Sequence, residues 1–383
     1  MDVTSLPDFR LEVFLGKWEF AAKHHMTASD AESTTVGDLL ALEPGSRERL
    51  LALDLKYVPT WGTDELRAAI AATYETIDPR DVLAFAGAEE ALFWAIAEAV
   101  GPGDHAIVTV PNYQSMESVA LATGARIEGL VLRPENAFVP DPAELVRMIR
   151  PTTKLVCLNF PNNPTGAVPR RDVFVELVAE CDRRGVRVFS DEVYRGLELD
   201  ASKTLPQAAD LSERALSLNV TSKSYGLPGL RVGWLATRDR AFLDRVERRK
   251  HYTSICNAGP SELLATVALR HAHTLQSRCR EFLRANVAVA TEFFREHRAL
   301  FEFSPPAGGC VCFPRYLGDE GVEVFVEQLL HREGVVLLPA SLYQSQLGTV
   351  PADRFRLGLG RKGVADGFAA IARHLASRGS PRA

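Results

Sequence analysis

The chain has 383 residues, more than one compact core holds and enough for two domains. It is 46% hydrophobic and 24% charged with a formal net charge of −5, which gives no basis for nucleic-acid or membrane-surface binding. No basic-then-apolar leader opens it and no apolar stretch is long enough to cross a bilayer, so the cytoplasm is the expected compartment.

The segment 1–52 carries mixed signals: 11–22 reads as a short amphipathic helix and 29–33 as a loop or helix cap. From Asp64 the pattern alternates. Helices are expected over 64–74 and 88–100, the second closed by Gly101-Pro102-Gly103. An apolar strand over 105–110 stops at Pro111, and another over 154–160 runs into Pro161-Asn162-Asn163-Pro164-Thr165-Gly166. A helix over 172–183, a strand over 186–190 ending at Asp191 and a strand over 215–220 follow. Beyond about 275 the pattern becomes a long helix over 280–297 and strands around 309–314 and 334–338. This order predicts an α/β protein with a doubly wound, mostly parallel sheet over 53–275. A smaller α+β domain over 276–383 is completed by the arm 1–52.

Polar residues recur just past the apolar runs: Asn112 and Tyr113, Asn163, Asp191, Ser222 and Lys223. In doubly wound sheets chemistry gathers outside the strand ends, so the recurrence marks a site. Lys223 is the most informative member, because small and glycine residues follow it and Arg231 stands eight positions on. A strand end that delivers one amine beside an arginine suits imine chemistry on a phosphorylated carbonyl cofactor. Asp191 reads as the anion for a ring nitrogen of such a cofactor or as a helix cap. Gly87-Ala88-Glu89 opens a helix whose free N–H groups suit a phosphate, and Arg231 adds a permanent cation. Thr221 or Ser222 would add a hydroxyl. No metal site is expected: the six cysteines are scattered, and the neighbouring His24 and His25 point apart without a third ligand.

The ordered set Tyr57, Gly87, Tyr113, Asn163, Asp191, Tyr194, Lys223, Arg231 and Arg356 resembles the landmarks of fold-type I pyridoxal-phosphate enzymes, the class I and II aminotransferases, over most of the chain. The resemblance implies pyridoxal 5'-phosphate as cofactor, with Lys223, Asp191 and Tyr194 as catalytic residues. Tyr113 would stack on the ring, and Asn163 and Tyr194 would reach its phenolic oxygen. Tyr57 would contact the neighbouring subunit's phosphate, which implies a homodimer with shared sites. Arg356 would grip the substrate α-carboxylate, with Asn163 beside it. Dicarboxylate-specific relatives carry an arginine in the region matching 251–259; none stands there, so aspartate is not the expected substrate.

The arm over 10–40 departs from the usual aminotransferase entrance and is distantly similar to that of capreomycidine synthases, which eliminate a β-hydroxyl and close a ring. Glu12 and Trp18 are its candidate substrate contacts, and Glu19, Asp30 and Glu32 are further acids able to meet a guanidinium or amine; a charged arm lying on the partner subunit is the alternative. Two activities stay open: amino-group transfer, or β/γ-elimination, replacement or cyclisation of an arginine-like or other specialised amino acid. An effector-binding domain of a transcription regulator is not expected, given the negative charge and no evident DNA-binding helical segment.

Overall fold

Short runs of Val, Leu, Ile and Phe without polar alternation are stable where both sheet faces are covered. In the computed structural model, which describes residues 1–378, they lie side by side. Strands β1 (Val82–Phe85), β2 (His105–Val110), β3 (Arg126–Val131), β4 (Thr153–Asn159), β5 (Arg187–Asp191), β6 (Leu216–Val220) and β7 (Gly233–Ala236) form one seven-stranded sheet in the order β1-β7-β6-β5-β4-β2-β3. Only β7 is antiparallel to its neighbours. The expected α/β architecture with a mostly parallel sheet is therefore the observed one. β1, β3 and β7 had no sequence reading of their own; β3 is an edge strand whose Arg126 and Glu128 break the apolar run.

Helices α1 (Arg10–Trp18), α2 (Asp64–Ala71), α3 (Ala88–Ala99) and α4 (Arg171–Arg183) follow the expected periodicities. α1 stops short of 22 because the chain must turn to pair His24–His25 in parallel with Val335–Val336. Helix α5 (Ala272–Glu296) begins before the expected 280, since Leu275, Cys279 and Leu283 continue one buried stripe at helical spacing.

Register and strand direction bring the polar residues together. β5 and β6 are parallel with Asp191 opposite Leu218, so Asp191 and Lys223 emerge at the same sheet edge. Antiparallel β7 starts at that edge, which puts Arg231 there as well. In the C-terminal part, β8 (Val311–Cys312), β9 (Leu338–Pro339) and β10 (Phe355–Gly358) form an antiparallel sheet in the order β8-β10-β9. Its core gathers Phe293, Phe294, Phe301, Phe325, Phe355 and Phe368, and Met26 of the arm is buried with them. All six cysteines are free thiols, five of them buried. Among the described residues no helix is long and apolar enough to cross a membrane.

Candidate active site

A cavity of about 500 Å³ opens where the strand ends meet the arm and β10. Of the residues named from sequence, Glu12, Ala88, Glu89, Tyr113, Asn163, Asp191, Tyr194, Ser222, Lys223, Arg231 and Arg356 line it. Gly87 caps α3 directly behind Ala88.

The floor holds an anion and an amine. Asp191 is buried at the end of β5, accepts a hydrogen bond from the Val193 N–H at 3.2 Å, and is pushed up to about 6 by burial. A carboxylate so placed needs a cationic N–H donor to stay ionised. Burial also pulls the Lys223 amine below the usual lysine range, which favours the neutral nucleophile. Its Nζ donates to Ser29 Oγ at 2.7 Å and stands 6.0 Å from the centre of the Tyr194 ring. Burial raises the Tyr194 phenol, and Arg356 and the Ser29 hydroxyl act in the opposite direction.

One end of the cavity is an anion cradle. Gly87, at φ 104°, turns β1 into α3, and a Cβ there would run into the Arg231 guanidinium. A Cβ on Gly233 would press on the Ala88 amide in the same way. The backbone thus approaches the arginine as closely as glycine permits, leaving the first N–H groups of α3 and the guanidinium side by side. The buried Ser222 hydroxyl has no protein partner, whereas Thr221 donates to the Val232 carbonyl at 3.1 Å. Of the two expected hydroxyls, only that of Ser222 faces the cavity.

At the other end, Arg356 of β10 is 1% exposed. Its Nη1 donates to Asn163 Oδ1 at 3.1 Å and its Nη2 to the Thr27 carbonyl at 2.7 Å, while Nε is buried without a partner. A buried guanidinium with one orphan donor suits an incoming carboxylate. Asn163 is fixed by donating its backbone N–H to Asn159 Oδ1 at 2.8 Å.

The arm forms the remaining wall through Phe9, Leu11, Glu12, Leu15 and Glu19 and then the stretch Thr27, Ala28, Ser29 and Asp30. The Tyr113 phenol donates to Glu12 Oε1 at 3.1 Å, and the Phe9 ring lies 5.0 Å from that of Tyr113. Asp30 is held by Arg361 through two hydrogen bonds of 2.7 and 2.6 Å, and Glu32 pairs with Lys362. Glu12, Glu19 and Glu89 have no ion-pair partner among the described residues. Burial pushes Glu89 up to about 7, with Glu12 and Asp191 adding to the rise. His25 also lines the cavity, held to about 4 by burial and by Arg361, and its Nε2 lies 2.7 Å from the Thr27 hydroxyl.

Two expected residues lie elsewhere. Trp18 packs edge-on against His331, 6.0 Å between ring centres, because it sits on the face of α1 turned from the cavity. The expectation that it contacts substrate is corrected accordingly. Tyr57 is 87% exposed and does not line this chain's cavity. Sequence reasoning missed Ser29 and Phe9, which carry no local motif and reach the site only through the folding of the arm. Among the described residues no group of His, Cys, Asp and Glu is arranged to hold a metal ion.

The model of the aminotransferase class I and II family matches residues 52–363. The chain belongs to that family. This class I and II member is 34% identical to capreomycidine synthase of Streptomyces vinaceus, over 99% of this chain and 96% of that protein. It is 30% identical to an arginine–pyruvate transaminase of Pseudomonas aeruginosa, over 82% of this chain and 80% of the other. A crystal structure of a PLP-dependent aminotransferase from Streptococcus suis superposes with a TM-score of 0.91 at 29% identity, covering 98% of this chain and 100% of that one. The cofactor of this aminotransferase-family enzyme is pyridoxal phosphate. Its residues fit that group: a buried carboxylate without a cation, a buried hydroxyl without a partner, and a glycine-lined cradle beside an arginine.

Proposed function

We propose that this enzyme removes the α-amino group of an amino acid with a cationic side chain, using Lys223 as the group that binds the cofactor and then moves the Cα proton. The observation that carries this reading is the position of the buried Lys223 amine and Asp191 on one cavity floor, opposite the orphan Nε of Arg356. When bound, pyridoxal phosphate supplies an aldehyde for amine exchange and a protonated ring that takes up the electrons left at Cα. Asp191 would hold the ring N–H, while Tyr194 and Asn163 would donate to the ring oxygen. Tyr113 would lie against the ring. The N–H groups after Gly87, including those of Ala88 and Glu89, would cradle the phosphate with the Ser222 hydroxyl and Arg231. Arg356 clamps the substrate carboxylate, and the Lys223 amine, already within reach, takes the Cα proton. Glu12 and Glu89, carboxyls on the substrate side without an ion pair, would meet the positive end of the side chain.

We further propose a cytoplasmic homodimer. Tyr57 and Leu55 are 87% and 86% exposed on a stretch that a second copy would cover, delivering Tyr57 to the partner's phosphate cradle. The unit 53–275 would then bind the cofactor, and 276–383 with the arm would close over it.

One observation favours a second reading. The likeness to capreomycidine synthase extends over 99% of this chain and so takes in the arm, whereas the aminotransferase family model begins only at 52. In that reading the same Cα proton transfer by Lys223 is followed by loss of a group at Cβ or Cγ and ring closure. Single-turnover mixing with a panel of amino acids separates the two. Amino transfer releases one equivalent of 2-oxo acid and leaves the cofactor aminated; elimination leaves the cofactor as it began and gives 2-oxo acid with free ammonia, and cyclisation leaves it as it began with no 2-oxo acid. A panel in which no amino acid alters the cofactor spectrum would reject both.

A further inference from the structure

The Lys223 amine accounts for one hydrogen bond with a residue 194 positions away, and that residue, Ser29, belongs to the arm rather than to the sheet. The stretch around it is pinned on both sides. The Met26 carbonyl accepts from Gly358 N–H at 2.8 Å, the Thr27 carbonyl from Arg356 Nη2 at 2.7 Å, and the Glu32 N–H donates to the Gly360 carbonyl at 2.8 Å. Asp30, the next residue, is locked by the paired hydrogen bonds from Arg361. The hydroxyl of Ser29 is therefore placed by its neighbours and does not depend on Lys223 for its position. The Tyr194 phenol is buried beside it and has no hydrogen-bond partner of its own.

An amine that is repeatedly released from a covalent bond has free rotation about its last carbon–nitrogen bond. Such an amine is a poor base unless its lone pair is aimed. We infer that Ser29 is a positioning hydroxyl that receives the Lys223 amine each time it leaves the cofactor, fixing the direction of its lone pair for proton transfer at Cα. This rests on the reading of Lys223 as the proton-transfer base. The bonds involved are hydrogen bonds only: the amine donates one N–H to Ser29 Oγ, the lone pair accepts the Cα proton, and no proton need leave the serine.

Semicarbazide tests the docking step without any turnover. It condenses with the cofactor aldehyde and frees Lys223 but brings no Cα proton, so the visible spectrum of the cofactor-loaded protein reports how readily the lysine is released. Ser29→Ala should require about fivefold more semicarbazide for half-conversion, the loss expected for one hydrogen bond. With L-arginine as amino donor, Ser29→Ala should also turn over about tenfold more slowly, with a larger isotope effect from deuterium at Cα. Ser29→Thr, which keeps the hydroxyl, should recover both. An unchanged semicarbazide titration in Ser29→Ala overturns the inference whichever amino acid is the natural one. So does a Ser29→Ala protein that melts early or loads no cofactor, since that makes the serine a structural strut. Turnover that survives in Lys223→Ala would instead reject the reading of Lys223 on which the inference rests.

Discussion

The sheet edge and the arm build the two halves of one cavity by different means. At the sheet edge each residue follows a buried strand, and its place is set by register: Asp191 opposite Leu218, Lys223 just beyond β6, Arg231 just ahead of antiparallel β7. In the arm, Ser29 and Asp30 lie in irregular backbone held by hydrogen bonds to Arg356, Arg361, Gly358 and Gly360. The first half is rigid because strands cannot slip without reversing every side chain. The second half is a set of polar contacts between distant segments, each able to change without unfolding the sheet. Under the proposed function, cofactor chemistry would sit on the part that resists change, and contacts to the substrate side chain on the part that tolerates it.

Substitutions at the sheet edge should stop the chemistry, and those in the arm should retune it. The largest effect is expected for Lys223→Ala: turnover falls by at least about 1,000-fold while thermal unfolding stays cooperative, read by single-turnover absorbance and calorimetry. Asp191→Asn should slow the reaction by about 100-fold and weaken cofactor binding, measured by turnover and cofactor titration.

The same carboxyl makes a pH prediction. Burial lifts Asp191 to about 6, above the ordinary carboxylate range. Between those two values the cofactor-free folded protein holds a proton that the unfolded chain has lost, so its stability falls as pH rises through that window. A ring N–H held by Asp191, as proposed, would remove this penalty. The rise in melting temperature on adding cofactor should therefore be larger at about pH 7 than at about pH 5. In Asp191→Asn the widening should be reduced, although Glu89 and Glu192, both raised to about 7 by burial, continue to titrate.

In the arm, Asp30→Asn should cost about tenfold in kcat with the cofactor still bound, because it loosens the stretch that carries Ser29. A loss equal to that of Lys223→Ala would erase the distinction between the two halves. The smallest effect is expected for Glu12→Gln, a rise in KM of about fivefold for L-arginine and none for L-alanine, since one exposed charge contact is removed. Equal changes for both amino acids would sever Glu12 from side-chain recognition.

The strand-end residues were legible in the sequence because they depend on local signals: a buried apolar run, the residue that ends it, and the glycine or asparagine turn that follows. Tyr113, Asn163, Asp191 and Lys223 were found in this way, Gly87 from the helix start that follows it and Arg231 from its spacing to Lys223, and the alternation of helices and strands fixed the class of fold. Where local pattern and contact disagreed, contact decided. Trp18 and Glu12 lie on one short helix, and only the packing of that helix turns Glu12 into the cavity and Trp18 onto His331. Thr221 and Ser222 are adjacent in sequence, and only the neighbouring strand determines which hydroxyl is engaged by a carbonyl. Ser29 had no signal, since one serine in a loop resembles any other. Its contact with Lys223 exists because the arm pairs with the C-terminal part of the chain before it reaches the large sheet. Sequence by itself determined which polar residues end the buried strands, because period and turn chemistry act over a few residues. Tertiary structure alone decided what surrounds the amine, because those contacts join segments that share no local pattern.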